Sequence, residues 1–311
     1  HSFPTRRSSD LYILGCGSAL PTLHHYASSQ IISIREKMFM VDCGEGTQIQ
    51  LRRSKVRFTR INNIFISHLH GDHCFGLIGM ISTFGMLGRT APLDIYAPTD
   101  FGPILDMQLK AFCEGLEYEV RFHGIDTTSN EVIYEDRSLT VTTIPLRHRM
   151  PCCGFLFKEK PTLPHIRRDM VDFYKIPPYA YNNIKEGKDW ITPDGEVISA
   201  SSLTSPADPI RSYAYCSDTA YMPNLHKMIQ DISALYHEST YGNDNEGRAK
   251  KYYHSTASQA AKVARDANAG MLILGHYSAR YENEEKLLLE AKEIFNNTFL
   301  SNENKVFTIM K

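Results

Sequence analysis

The chain has 311 residues, 42% of them hydrophobic, with a formal net charge of −1, which suffices for one large domain or two small ones. No apolar run approaches the ~20 residues that span a bilayer, which argues against a membrane protein. Near-neutrality excludes a global basic field, so any nucleic-acid binding must rest on local patches.

The first ten residues, His1 to Asp10, carry charge but have neither the apolar core nor the cleavage site of a signal peptide. They lack Met and fit poorly with the strand that follows, so they read as foreign or disordered sequence outside the fold. Strands are then predicted at residues 11–14, 30–34, 38–42, 63–67, 93–96, 118–122, 139–145 and 154–157, and later at 212–217, 233–237, 271–275 and 305–309. Helical patterns occupy residues 46–53, 75–87, 103–112, 225–230, 256–267 and 284–295. Strands clustered early with helices between them predict an α/β fold, with two mixed sheets packed face to face and helices outside. Residues 158–209 are rich in Pro, Tyr, Lys and Asp with little apolar periodicity. They read as a long irregular insertion, a lid or binding element. The seven cysteines (Cys16, Cys43, Cys74, Cys113, Cys152, Cys153, Cys216) are odd in number and without CxxC spacing. They predict reduced, mostly buried thiols in a cytoplasmic protein.

Chemistry concentrates at Ser67-His68-Leu69-His70-Gly71-Asp72-His73, directly after an apolar strand. Imidazole plus carboxylate is a ligand set suited to zinc, with manganese or iron also compatible. His148, Asp218 and His276 follow predicted strands too, and strand ends can bring distant residues to one sheet edge. These seven ligands divide into two sites if one carboxylate bridges. The first zinc would use His68, His70, His148 and Asp218, and the second Asp72, His73, Asp218 and His276. Two such ions about 3.5–4 Å apart can hold a shared hydroxide and clamp an in-line displacement at phosphorus.

The segment from Ser67 to His73 resembles the HxHxDH signature of the metallo-β-lactamase superfamily. Further stretches narrow the resemblance to tRNase Z, the ribonuclease Z family. They are Val41-Asp42-Cys43-Gly44-Glu45-Gly46-Thr47-Gln48, His237-Glu238-Ser239-Thr240, His254-Ser255-Thr256 and His276-Tyr277-Ser278-Ala279-Arg280-Tyr281. The resemblance runs from about Leu11 to the C-terminus. It implies an αββα sandwich, two Zn2+ per subunit, and an endoribonuclease that removes 3′ trailers from precursor tRNA by metal-hydroxide attack, leaving a 3′-hydroxyl. It also implies a homodimer in which one subunit's arm holds the tRNA that the other cuts.

By matched motif, Asp72 is the expected general base as well as a ligand. His254 protonates the departing oxygen and Glu238 orients it, since a leaving alkoxide needs a donor that a zinc-bound His cannot easily be. Ser278 and Arg280 are similar to family residues that grip phosphate. Asp42, a carboxylate at a strand end, is expected to orient a ligand His. Residues 158–209 correspond to the family's flexible arm, or exosite, with Arg167, Arg168, Lys175, Lys185 and Lys188 placed for phosphate contact. The Ile176-Pro177-Pro178-Tyr179-Ala180-Tyr181 segment departs from the usual arm, and Pro21-Thr22-Leu23-His24-His25-Tyr26 from the family's Pro-x-Lys-x-Arg-Asn loop. A basic run from Arg52 to Arg60 without acids could belong to an acceptor-stem track. The alternative reading keeps the dinuclear centre but turns it on a small phosphodiester or other ester. A non-catalytic scaffold is disfavoured because all seven ligands are present.

Overall fold

The structure, a computed structural model, describes residues 9–310. Strand alternation sets its layers. In the strand Lys37–Cys43, Phe39 and Val41 enter one apolar cluster while Met40 enters another. Ile32 and Phe65 likewise face the first cluster, and their neighbours Ile31 and Ile64 the second. Successive side chains of a strand point to opposite faces, so these strands need apolar cover on both sides. The described chain forms two compact units, residues 159–210 and the remainder.

The larger unit is built on two mixed seven-stranded sheets. One runs, in spatial order, Val306–Ile309, Ser9–Gly15, Ser29–Ile34, Lys37–Cys43, Ile61–Phe65, Leu93–Pro98 and Val120–Ile125. The other runs Thr298–Leu300, Leu272–Gly275, Ala234–Glu238, Ser212–Cys216, Cys153–Glu159, Leu139–Pro145 and Val132–Glu135. Aromatic rings fill the space between them: Phe65 lies 5.5 Å from both Phe155 and Phe157, and Phe39 lies 5.8 Å from Phe157. The helix Leu77–Met86 supplies Leu77, Met80, Ile81 and Phe84 to the outer cluster of the first sheet. The helix Ala257–Asp266 is closed at its start by a reciprocal Thr256–Gln259 capping box and buries Ala257, Ala260, Ala261 and Ala264. These layers form an αββα sandwich.

Register aligns the functional ends. Ser212–Cys216, Ala234–Glu238 and Leu272–Gly275 are parallel neighbours, with Cys216 opposite His237 and Glu238 opposite Gly275. Their carboxyl ends, and the residues that follow, therefore emerge at one edge. In the first sheet Val41 pairs in parallel with Phe65, which brings Asp42 beside Ser67.

The predicted strands are present, with three differences elsewhere. The first strand begins at Ser9, where Ser9 pairs with Ile309 and Asp10 with Thr308. Ser9 and Asp10 thus belong to the fold, and residues 1–8 lie outside the described residues. The strands Val132–Glu135 and Thr298–Leu300 lie at sheet edges, and the helix Glu246–Tyr252 buries only Ala249, so each carries too short an apolar pattern to be read. The unit 159–210 is folded rather than irregular: Val171, Ile176, Ala180, Ile184, Ile198, Ala200 and Leu203 form its own core. Its helices Arg168–Phe173, Tyr181–Lys185 and Ala200–Leu203 are six, five and four residues long, less than two turns, and print no helical period.

All seven cysteines are buried and free. Among the described residues no helix is long and apolar enough to cross a membrane. Because Phe65 joins both sheets, Phe65→Ala is expected to cost about 3–5 kcal/mol of stability, measured by equilibrium urea unfolding.

Candidate metal centre

Asp218, two residues past the strand Ser212–Cys216, is nearly fully buried and faces two groups of imidazoles with its two oxygens. Oδ2 lies 3.7 Å from the Nε2 atoms of both His68 and His148. Oδ1 lies 3.3 Å from His73 Nε2 and 3.0 Å from His276 Nε2. His70 Nδ1 joins the first group, 3.0 Å from His68 Nε2 and 3.3 Å from His148 Nε2. Asp72 Oδ2 joins the second, 3.5 Å from the Nε2 atoms of His73 and His276. The ligand atoms of His68, His70, His148 and Asp218 lie within 4.8 Å of one another, as do those of Asp72, His73 and His276. These are the two sets expected from the sequence, brought together around one two-faced carboxylate.

Hydrogen bonding on the far side of each ring decides which nitrogen is bare. His148 Nδ1 is 3.0 Å from the Tyr253 carbonyl, which can only accept, so Nδ1 carries the proton and Nε2 does not. His73 Nδ1 donates to Asp42 Oδ2 at 2.7 Å. The Thr240 hydroxyl donates to Glu238 Oε2 at 2.6 Å and is left to accept from His276 Nδ1 at 3.0 Å. The Ser67 hydroxyl donates to Asp42 Oδ2 at 2.9 Å and accepts from His68 Nδ1 at 3.0 Å. Four Nε2 atoms thus converge on the carboxylates, the arrangement that outer hydrogen bonds create in zinc sites. Asp42 is fully buried and also takes the Ser67 N–H at 2.8 Å and the Tyr215 hydroxyl at 2.6 Å.

Electrostatics suit a divalent cation. Burial holds His68 well below the ordinary imidazole pKa and also lowers His70 and His148, which leaves these rings neutral. Burial opposes charge on His73 too, but Asp72, Asp42 and Asp218 outweigh it and raise its pKa well above the ordinary value. A positive charge, proton or metal, is what that position calls for. Burial opposes ionisation of Asp218, yet His276, His73 and His68 hold its pKa well below the carboxylate range. Nitrogen and oxygen donors in two sets that share one carboxylate fit two zinc ions.

His254 is held differently. Its Nδ1 lies 2.8 Å from Glu238 Oε1, and its ring sits 5.2 Å from His148 and 5.5 Å from His276. Burial opposes its charge, but the charge and hydrogen bond of Glu238 prevail and lift its pKa to about 9. Thr256 is the helix N-cap, so His254 precedes the cap and is turned to Glu238 rather than to solvent. A ligand atom of His254 also lies within 4.8 Å of Asp218 and His276, close enough to reach a group bound between them. His70, Asp72, His148, Asp218 and His254 all line one cavity of about 770 Å³, whose outer wall includes the segment from Gly17 to Thr22 and Arg149.

Over 295 residues the chain is 57% identical to a ribonuclease Z of Bacteroides fragilis, covering 95% of this chain and 97% of that one. It is 56% identical over 300 residues to the ribonuclease Z of Bacteroides thetaiotaomicron, covering 96% and 95%. The chain belongs to the ribonuclease Z family. Residues 9–165 also belong to the family described as Anti-Pycsar protein Apyc1. That match reaches His68, His70, Asp72, His73 and His148, while the ribonuclease Z relatives also span Asp218, Glu238, His254 and His276. Human tRNase Z, short form, has a similar fold (TM-score 0.70, 23% identity, 97% of this chain and 100% of that one). So does YhfI, a metallo-β-lactamase fold protein of Bacillus subtilis (TM-score 0.68, 16% identity, 97% and 99%). The fold is therefore that of the metallo-β-lactamases.

Not every residue singled out in the sequence meets the cavity. Arg280 Nε donates to Ser278 Oγ at 3.0 Å and its guanidinium stacks on Tyr241, whose ring is 6.0 Å from His254. Both Ser278 and Arg280 stand outside the cavity lining. Within the 159–210 unit, Arg167 is engaged by Asp169 at 2.8 Å and by the Ser202 carbonyl, whereas Arg168 and Lys175 are exposed. Arg52, Arg53, Lys55, Arg57 and Arg60 are all exposed, with Arg52 and Arg53 in the last turn of the helix Thr47–Ser54. Sequence reasoning missed Tyr215, the Tyr253 carbonyl and Arg149, none of which carries a motif of its own, and it assigned no role to Thr240 within the His237–Thr240 motif.

Asp42→Asn removes the charge that holds His73 and is expected to weaken metal affinity about 10–100-fold, measured by titration against a competing chelator.

Proposed function

We propose that this protein is a zinc-dependent endoribonuclease that removes 3′ trailers from precursor tRNA and leaves a tRNA 3′-hydroxyl. The observation that carries the reading is Asp218 with one oxygen toward each imidazole group, beside a His254 held 2.8 Å from Glu238. His68, His70, His148 and Asp218 would hold one ion, and Asp72, His73, Asp218 and His276 the other. Two such ions supply positive charge to a phosphodiester and make water a usable nucleophile near neutral pH.

The remaining steps belong to side chains. Asp72, at the cavity wall, is placed to take a proton from the attacking water while serving as a ligand. His254, kept protonated by Glu238, hands its proton to the departing 3′ oxygen of the tRNA. Glu238 is spoken for by Thr219 N–H, Thr240 N–H and the Thr240 hydroxyl as well as His254, which leaves it ionised and fixed. In this reading the 159–210 unit is the exosite that grips tRNA away from the scissile bond. The exposed Arg168 and Lys175 and its exposed Phe173 and Tyr179 support that assignment, since basic and aromatic side chains suit RNA backbone and bases.

Metal-replete protein is expected to cut a 3′-extended precursor tRNA, to stop with chelator and to recover with zinc. Intact precursor after incubation with folded, zinc-loaded protein would overturn the reading. His254→Ala is expected to lower kcat by about 10²–10⁴ with zinc content unchanged, read by single-turnover cleavage and metal analysis; loss of zinc in parallel would make His254 a ligand instead. Replacing residues 159–210 by a short linker should raise KM for precursor tRNA while hydrolysis of a small phosphodiester persists. If both activities fall together, the unit supports the fold rather than the substrate.

A further inference from the structure

His25 is a cation set between two carboxylates from the far end of the chain. Its Nε2 lies 3.0 Å from Glu284 Oε1 and its Nδ1 lies 3.0 Å from Glu303 Oε2. The three side chains are 12%, 11% and 10% exposed, so the pairs are largely withdrawn from water. Carboxylates only accept, so both ring nitrogens donate and the ring is an imidazolium. Two acids buried this close to one another are costly without a cation between them. Neither acid is a metal ligand in the centre above.

The segment that His25 anchors is the wall of the cavity. Glu303 Oε1 also takes the Tyr26 N–H at 2.8 Å, and the Tyr26 carbonyl takes the Gly17 N–H at 2.9 Å. At the far end there is no spare room: a Cβ on Gly15 would meet the Ala27 carbonyl oxygen at 1.8 Å, and one on Gly44 the Ala27 Cβ at 2.5 Å. Between these fixed points, Ala19 donates its N–H to Asp72 Oδ2 at 2.8 Å. That is the oxygen 3.5 Å from both His73 and His276. Ala19 has φ of 54°, a left-handed conformation unfavourable for a residue with a Cβ, so its N–H is aimed by the surroundings rather than by local preference.

We propose that His25 is a positioning residue of the reaction: clamped between Glu284 and Glu303, it holds the segment of residues 17–27 so that the Ala19 N–H keeps Asp72 in its working orientation. This role rests on the hydrolytic reading of the centre above and is independent of the tRNA substrate. His25 lines the cavity but is paired with Glu284 and Glu303 rather than with any of the seven ligands, and it acts through one amide. The clamp also explains why the imidazole stands 3.4 Å from the buried Cys16 thiol without forming part of the metal centre: its two nitrogens are already committed to carboxylates.

The test compares wild type with His25→Gln, His25→Arg and Glu303→Gln, each checked for folding and zinc content. The readouts are kcat and KM on bis(p-nitrophenyl) phosphate and hydrogen exchange across residues 17–27. His25→Gln and Glu303→Gln are expected to lower kcat about tenfold, about 1.4 kcal/mol, with KM and zinc content unchanged and exchange at residues 17–27 accelerated. His25→Arg should recover most of the rate, because a guanidinium can span two carboxylates. Should His25→Gln fail to fold, Glu303→Gln and Glu284→Gln, which retain the imidazole and one acid, carry the same comparison. Faster exchange with unchanged kcat would overturn the proposal, as would an Arg variant no better than Gln. Loss of a zinc ion beyond the two of the centre on His25→Gln would overturn it as well, making Cys16, His25 and Glu303 a metal site. Wild type inert toward both this ester and precursor tRNA would sink the hydrolytic reading and this role together. Wild type that hydrolyses the ester but not the tRNA would sink only the substrate assignment.

Discussion

Two fully buried carboxylates, Asp42 and Glu238, wire the centre. Asp42 accepts from Ser67 N–H, the Ser67 hydroxyl, His73 Nδ1 and the Tyr215 hydroxyl. Glu238 accepts from Thr219 N–H, Thr240 N–H, the Thr240 hydroxyl and His254 Nδ1. A buried charge is tolerable only when its acceptor sites are filled. Filling them fixes the hydroxyls and imidazoles around it. From Asp42 the order passes through Ser67 to His68 and directly to His73; from Glu238 it passes through Thr240 to His276 and directly to His254. The directions in which His68, His73 and His276 present Nε2 follow from these two carboxylates, and that of His148 from the Tyr253 carbonyl.

The sandwich makes this wiring rigid because the two anchors belong to different sheets. Asp42 lies on Lys37–Cys43 and Glu238 ends Ala234–Glu238. Tyr215, from the second sheet, reaches across to Asp42 on the first. The Cys153 N–H, from the second sheet, donates to the Ser67 carbonyl. Neither sheet holds a complete ligand set, so sliding one against the other would separate His68 from Asp218. The aromatic packing of Phe39, Phe65, Phe155 and Phe157 between the sheets opposes that motion. Core packing and metal geometry are here the same constraint seen from two sides.

Much of this was legible in the sequence. His68, His70, Asp72 and His73 lie within six residues, so their proximity is local and needs no fold. His148, Asp218 and His276 could be added because each follows an apolar strand, and for Asp218 and His276 parallel register converts that common position into a common edge. Partners without a local pattern could not be read. Nothing near Tyr253 says that its carbonyl will orient His148, and His25 meets Glu284 and Glu303 across sequence separations of 259 and 278. The unit 159–210 reads as irregular in the sequence for a related reason. Its core residues are contributed by single turns and two-residue strands, so burial there leaves no period in the chain.

One residue type thus takes three roles, and the partner on each ring nitrogen separates them. His148 and His276 face a carbonyl and a hydroxyl with Nδ1, which turns Nε2 inward as a donor atom for a metal. His254 faces a carboxylate with Nδ1, which retains a second proton that can be given away. His25 faces a carboxylate with each nitrogen, which binds both protons and leaves nothing to transfer or coordinate. His73 lies between the first two cases. Asp42 takes its Nδ1 proton, and across Nε2 the anions Asp72 and Asp218 demand a positive charge that either a proton or a metal can satisfy. Because His276 brings its Nε2 to within 3.4 Å of His73 Nε2, a single proton cannot satisfy both rings, whereas a divalent ion serves both. That asymmetry is the physical reason the cluster is a metal centre rather than a buried ion-pair network.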